Sequence, residues 1–372
     1  MIELDTIEAF DRHVADAGSL REVAVQGLDL CERTEQLLRL DVEGAVFLGC
    51  VVEPPVQRRL IDAATVFPRF PDLPFRAFRS SLYSPQELFS EYVPGDPDTY
   101  EDALDTRVYR WFRRAVEAHN VVELLAQRVH DHAIDDALEH LLEDDGRSRV
   151  VAVMGGHSMS RDEPAYRDVV SLARSLTRAG FLCASGGGPG AMEATNLGAW
   201  LAPHPDRALD GAIEVLGAAP HYEPVTAWLD AAFEVRRRWP APEGAPDSLG
   251  IPTWHYGHEP PNVFASRIAK YFANSIREEG LLAIALAGVV FAPGSAGTIQ
   301  EIFQDAAQNH YESFGVASPM IFLDREYWTV TKPVYPLVER LSADRPYGDL
   351  LAIEDDVERI VERLVSRAEP PS

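Results

Sequence analysis

From residue 149 onward, apolar residues come in short runs that alternate with amphipathic stretches. Residues 150–154 (VVAVM) are wholly apolar, which predicts a strand buried on both faces. A GGHS turn follows, and then Val169, Leu172, Ala173 and Leu176 recur at helical spacing until Gly180 stops the pattern. Residues 181–184 predict a second strand running into SGGGPG at 185–190, with a helix over 191–200. Residues 212–216 and 231–235 read as third and fourth strands. A long helix is expected over 262–279, a strand over 289–292, and a helix from 299 after the turn PGSAGT. Residues 320–323 and 351–353 read as further strands, the last followed by a helix over 357–365. Strands alternating with helices predict an α/β fold, a doubly wound parallel sheet with helices on both faces.

The first 146 residues are less regular. Short apolar runs such as 45–52 alternate with proline-rich links such as 68–74, and an acidic helical stretch covers 121–145. DDGRS at 144–148 reads as a boundary turn. The expected organisation is an N-terminal α/β domain over 1–146, with no role assigned, and a nucleotide-binding domain over 147–372. The N-terminal part carries no repeat and no chemical motif; Glu53, Arg58 and Arg59 read as solvated surface.

Composition narrows the functional classes. The chain has 372 residues, 46% hydrophobic and 25% charged, enough for a substantial core. Its formal net charge of −25 argues against a nucleic-acid polymer as partner, since that affinity rests on Lys and Arg neutralising phosphates. The only lysines are Lys270 and Lys332, and none follows a glycine, so a phosphate-loop NTPase is excluded and a pyridoxal-phosphate enzyme is disfavoured. No apolar run reaches the roughly 18 residues of a membrane span. The acidic N-terminus lacks the pattern of a signal peptide. Cys31, Cys50 and Cys183 are odd in number and far apart, which suits a reducing cytoplasm and no cysteine-based zinc site.

Three glycine-rich turns follow strands, so a parallel sheet gathers them along one carboxyl edge, where such sheets bind ligands. Glycine lets backbone N–H groups and a helix N-terminus approach an anion, although glycine also simply satisfies tight turns. The G-x-G-x-x-G fingerprint and its acidic partner are absent, which disfavours a nicotinamide enzyme. In the third turn, TIQE at 298–301 has the form of a T-x-x-E capping box. Glu301 can therefore serve the helix or a ligand, and the two uses compete for one carboxylate.

GGGPGAMEA (186–194) and PGSAGTIQE (293–301) resemble the two signature motifs of the Lonely Guy family of nucleoside-monophosphate phosphoribohydrolases. GGHS (155–158) and EPPN (259–262) resemble the bacterial pyrimidine/purine nucleotide monophosphate nucleosidase branch. The resemblance spans about residues 149–365. It implies a Rossmann-like domain, a homodimer or higher homo-oligomer, no metal or organic cofactor, and hydrolysis of a nucleoside monophosphate to free base and ribose 5-phosphate. The family's glutamate maps onto Glu301, with Arg277 as its partner and Arg267 as a second candidate. Gly294, Ser295, Ala296, Gly297 and Thr298 are expected to hold the 5′-phosphate. Gly156, His157 and Ser158, with Gly186, Gly187, Gly188, Gly190, Met192 and Glu193, are expected to contact the nucleotide. Ser295 departs from the family's second glycine, which puts the loop's shape and the substrate preference in question.

On a continuous helix at 100° per residue, Arg267, Lys270, Asn274 and Arg277 would fall in one arc of about 80°, a possible cleft wall or simply a solvated stripe. His255, His258 and Glu259 read as members of a loop, with base recognition preferred to a metal. A nucleotide-binding regulatory protein without turnover is the alternative function, and a redox enzyme on the same fold is the third.

Overall fold

The computed structural model describes residues 1–143, 146–256 and 260–368. The chain forms two compact units. One comprises Met1–Leu82 and Arg110–His140, the other Tyr83–Tyr109 and Leu141–Ser372. A single cut at residue 146 therefore does not separate them. The physical reason lies in 83–109, which is bound to the second unit. Tyr83 bridges Ile268, Tyr92 donates its hydroxyl to Asp230 at 2.6 Å, and Asp105 accepts from Lys270 at 2.5 Å.

The first unit holds four parallel strands in the order β1 (Ile2–Leu4), β2 (Val23–Gln26), β3 (Val46–Leu48), β4 (Thr65–Phe67). Its core includes Phe10, Val14, Val25, Phe47, Val56 and Leu60. The apolar residues of the helix Ile7–Ala17 bury Phe10 and Val14 four apart, the spacing that puts both on one face.

The second unit holds seven parallel strands. They are β5 (Val150–Met154), β6 (Leu182–Ser185), β7 (Ser248–Gly250), β8 (Arg267–Ile268), β9 (Gly288–Phe291), β10 (Met320–Leu323) and β11 (Leu351–Glu354), in the order β11-β10-β9-β5-β6-β7-β8. The central strands are buried on both faces, as continuous Val and Ala runs require. The chain winds outward from β5 to β8, then returns to β9 on the other side of β5. Right-handed crossovers in opposite directions place helices on opposite faces. Pro164–Arg178 and Ala191–Leu201 pack together with Val357–Ala368 nearby, while Asn274–Ile284, Ala296–Tyr311 and Tyr335–Ser342 form the other group. This is a Rossmann-like, doubly wound α/β fold, as the alternation predicts. Its switch point lies between β5 and β9.

Three expectations differ from what the chain does. Residues 212–216 and 231–235 belong to helices, Arg207–Leu216 and Val225–Arg238. Their buried residues (Ala208, Leu209, Ala212, Leu216, then Trp228, Leu229, Ala232, Val235) follow a helical period that a four- or five-residue window hides. The third and fourth strands are instead β7 and β8, three and two residues long, too short to leave a periodic signal. The helix expected over 262–279 starts only at Asn274. Upstream of it the backbone pairs with neighbouring strands: Ile268 N–H donates to the Tyr83 carbonyl at 2.9 Å and Ala269 N–H to the Gly250 carbonyl at 2.9 Å.

Candidate functional site

The loops after β5 and β9 flank the switch point and are tied together. Gly156 N–H donates to the Pro293 carbonyl at 3.0 Å, and Ala292 N–H to the Met154 carbonyl at 2.8 Å. The loop after β6 joins them through Ala191 N–H, which donates to the Gly156 carbonyl at 3.1 Å. Gly190 makes this approach possible: its φ is +69°, and an added Cβ would overlap the carbonyl oxygens of Gly156 and His157.

A cavity of about 470 Å³ opens along this edge. Gly156, His157 and Ser158 line one side with Val153, Met154 and Gly155, Gly186 and Met192 another, and Ser295, Ala296, Gly297, Thr298, Gln300 and Glu301 a third, together with Tyr256, Arg277 and Glu278. Ser295 is the N-cap of the helix Ala296–Tyr311 and makes no side-chain cap hydrogen bond. The first-turn N–H groups of a helix have no intrahelical partner and favour an anion. Ser295 has a φ of −114°, so the position does not require glycine. Its hydroxyl accepts from Lys332 Nζ at 2.8 Å, and Lys332 also donates to the Gly294 carbonyl at 3.0 Å. Tyr327 donates its hydroxyl to that same carbonyl at 2.5 Å. The serine that departs from the family motif thus gives the loop an anchor that a glycine lacks.

Thr298 is the third residue of its helix rather than the cap, so TIQE does not form a capping box. Glu301 lies one turn further, on the cavity wall, with Oε1 3.9 Å from Arg277 Nη1. Arg277 is 8% exposed; its Nε donates to the Ile251 carbonyl at 3.1 Å, and its Nη2 sits 4.0 Å from Met192 Sδ. Gly186 allows this seat, because an added Cβ would collide with both the guanidinium and the Met192 sulfur.

Several expected contacts lie elsewhere. Arg267 is on the edge strand β8, half exposed, paired with Asp247 at 3.1 Å. Lys270 is 1% exposed and bound to Asp105, whose Oδ1 also accepts from Trp254 Nε1 at 2.8 Å. The stripe Arg267, Lys270, Asn274 and Arg277 does not exist, because a strand and a loop interrupt it; of the two arginines only Arg277 reaches the cavity. Glu193 is fully buried, and its carboxylate accepts from Arg161 Nε at 2.9 Å, Arg161 Nη2 at 2.5 Å and the Tyr166 hydroxyl at 3.0 Å. Burial, with the Glu193 charge beside it, pushes Tyr166 well above the usual tyrosine range. Glu193 therefore holds the loop from beneath instead of offering its carboxylate to the main cavity. It lines a smaller cavity of about 160 Å³ with Gly190, His157, Ser158 and Tyr222. Gly187 and Gly188 use their backbone for structure: their carbonyls accept from Asn262 N–H at 2.8 Å and Asn262 Nδ2 at 3.2 Å.

Two residues that sequence reasoning did not single out, Glu278 and Gln300, also line the cavity; they adjoin Arg277 and Glu301 in the chain, and that adjacency was the available signal. Lys332 and Tyr327, from a segment with no motif, and Asn262, which closes the EPPN motif, hold the loops without lining the cavity. His255 is exposed; His258 and Glu259 lie outside the described residues. Among the described residues, Glu3, Asp136 and His140 of the first unit are the group of three donors close enough to share an ion.

These features define an α/β protein with a ligand-sized cavity at the switch point of a doubly wound parallel sheet. No protein-family model matches the chain, and no curated protein matches its sequence. Among solved structures it is similar to the molybdenum cofactor binding protein from the phototrophic bacterium Rippkaea orientalis, with 13% identity, a TM-score of 0.37, and coverage of 59% of this chain and 97% of that one. It is also similar to the molybdenum cofactor carrier protein MCP from Chlamydomonas reinhardtii, with 14% identity, a TM-score of 0.36, and coverage of 58% and 98%. The reading of the site rests on this chain's own residues. No helix among the described residues is long and apolar enough to cross a membrane.

Proposed function

We propose that this chain is a nucleoside 5′-monophosphate phosphoribohydrolase, as its resemblance to the Lonely Guy motifs implies. The observation that carries the reading is the placement of Glu301. Its carboxylate is not a helix cap and lies on the wall of the cavity beside Arg277. The 5′-phosphate sits at the loop Ser295–Ala296–Gly297–Thr298, on the first-turn N–H groups. The C1′–N bond then breaks with its electron pair leaving on the base, and positive charge develops on the ribose ring. Glu301 stabilises that charge and takes a proton from the water that adds to C1′, while the departing base gains a proton. Arg277 orients the carboxylate and offers donors to the ligand's anionic part. The products are free base and ribose 5-phosphate, with one water consumed. A homodimer belongs to this reading, and light scattering of the purified chain tests it.

Incubation with a panel of nucleoside monophosphates, with chromatographic detection of free base, tests the activity. Release from at least one of them is expected. Thermal stabilisation by the same compounds without release would move the chain to the alternative, a nucleotide-binding regulatory protein.

A further inference from the structure

The cavity holds one feature that hydrolysis does not use. Glu278 follows Arg277 on the helix Asn274–Ile284 and brings a second carboxylate to the cavity wall. Its Oε1 accepts from Asn274 Nδ2 at 2.6 Å and its Oε2 from Gln300 Nε2 at 2.9 Å. Asn274 Nδ2 also donates to the Tyr256 hydroxyl at 3.1 Å, joining the aromatic wall to the same network. Two amide donors fix the plane of the carboxylate, and each oxygen retains a second lone pair.

A second carboxylate opposes an anionic ligand unless it meets hydrogen-bond donors on the ligand's neutral part. Among the described residues lining this cavity, Arg277 is the one arginine or lysine, and its Nη1 lies 3.9 Å from Glu301 Oε1. With Glu301 assigned to the ribose in the reading above, the neutral donors left for the free lone pairs of Glu278 are those of the base. Resting on the nucleotide reading above, we infer that Glu278 reads the base edge and selects a nucleobase with an exocyclic amino group beside a ring N–H. Two adjacent acceptors match two adjacent donors, as carboxylates match amino groups in nucleic-acid recognition. Guanine presents that edge. Hypoxanthine keeps the ring N–H but lacks the amino group, and uracil flanks its single N–H with carbonyls that repel the carboxylate.

GMP and IMP differ by that amino group alone, so they form the test. Wild type is expected to cleave GMP about 10–100-fold more efficiently than IMP in kcat/KM, the range of one hydrogen bond to a charged group. Glu278→Gln, close to isosteric, should bring the ratio near one by lowering GMP more than IMP, which has only its ring N–H to lose the carboxylate's charge. Equal wild-type efficiencies, or a ratio that survives Glu278→Gln, would overturn the inference and leave the hydrolase reading intact. Release from no monophosphate would instead sink the hydrolase reading. Calorimetric binding of GMP and IMP to wild type and to Glu278→Gln then decides the inference: a GMP preference that depends on Glu278 supports it, and equal affinity or no binding overturns it.

Discussion

Glu301 shows how much one register position decides. Had the helix begun after Thr298, the threonine hydroxyl and the glutamate would have capped each other. It begins at Ala296 instead, and the carboxylate is placed on the cavity wall beside Arg277. Glu301→Gln keeps size and polarity and removes the charge. Base release should fall about 10²–10⁴-fold, the usual contribution of a positioned acid or base, with an unchanged circular dichroism spectrum. Retained activity would return Glu301 to a structural role. One turn further along the same helix, Asp305 is buried, and burial pushes its carboxyl up to about 8. Its Oδ2 has no hydrogen-bond partner. Between the ordinary aspartate value of 3.8 and about 8, the folded chain holds a proton that the unfolded chain has released. Stability is thus fully present at the acid end of that window and falls as pH rises through it. Melting temperature measured from pH 5 to 9 should decline less steeply in Asp305→Asn, which stays neutral throughout; parallel curves would count against the assignment.

At the scale of elements, the site is three loops held in one arrangement rather than three separate cradles. Gly190 is the join, since its left-handed backbone and missing Cβ let the helix after β6 donate to the Gly156 carbonyl. Gly190→Ala should cost about 1–3 kcal/mol from backbone strain alone, read by urea titration, and should lower base release because the Gly156 loop must shift. A full-stability variant would show that the loops have room to separate. The expectation of three glycine turns on one edge was legible because parallel strands with right-handed connections leave no other place for them. The short strands β7 and β8, at one end of the sheet, were not legible, since their partners across the sheet, not their own residues, make them strands.

At the scale of the molecule, the second unit includes a segment that precedes it by some distance in the chain. Asp105 and Lys270, 165 residues apart, meet with 1% of the lysine exposed. Truncating one partner leaves the other charge buried. Lys270→Met should therefore cost about 3–5 kcal/mol, and limited proteolysis should cut within 83–109 sooner than in wild type. Unchanged protection would mean that the pair contributes little to holding the segment.

The amino-acid sequence by itself determined the doubly wound α/β class, the central strands, the glycine turns and the family resemblance of their motifs. Those signals are local: apolar runs, helical spacing, glycine where the backbone must turn. Tertiary structure decided which residues share the cavity. Arg277 enters it and Arg267 does not, because β8 breaks the helix that periodicity suggested. Glu193 turns inward to Arg161 and Tyr166, while Glu278 and Lys332 are brought to the loops from elements that no motif marks. Burial and pairing across distant segments set these fates, and a side chain's role depends on what the fold places opposite it.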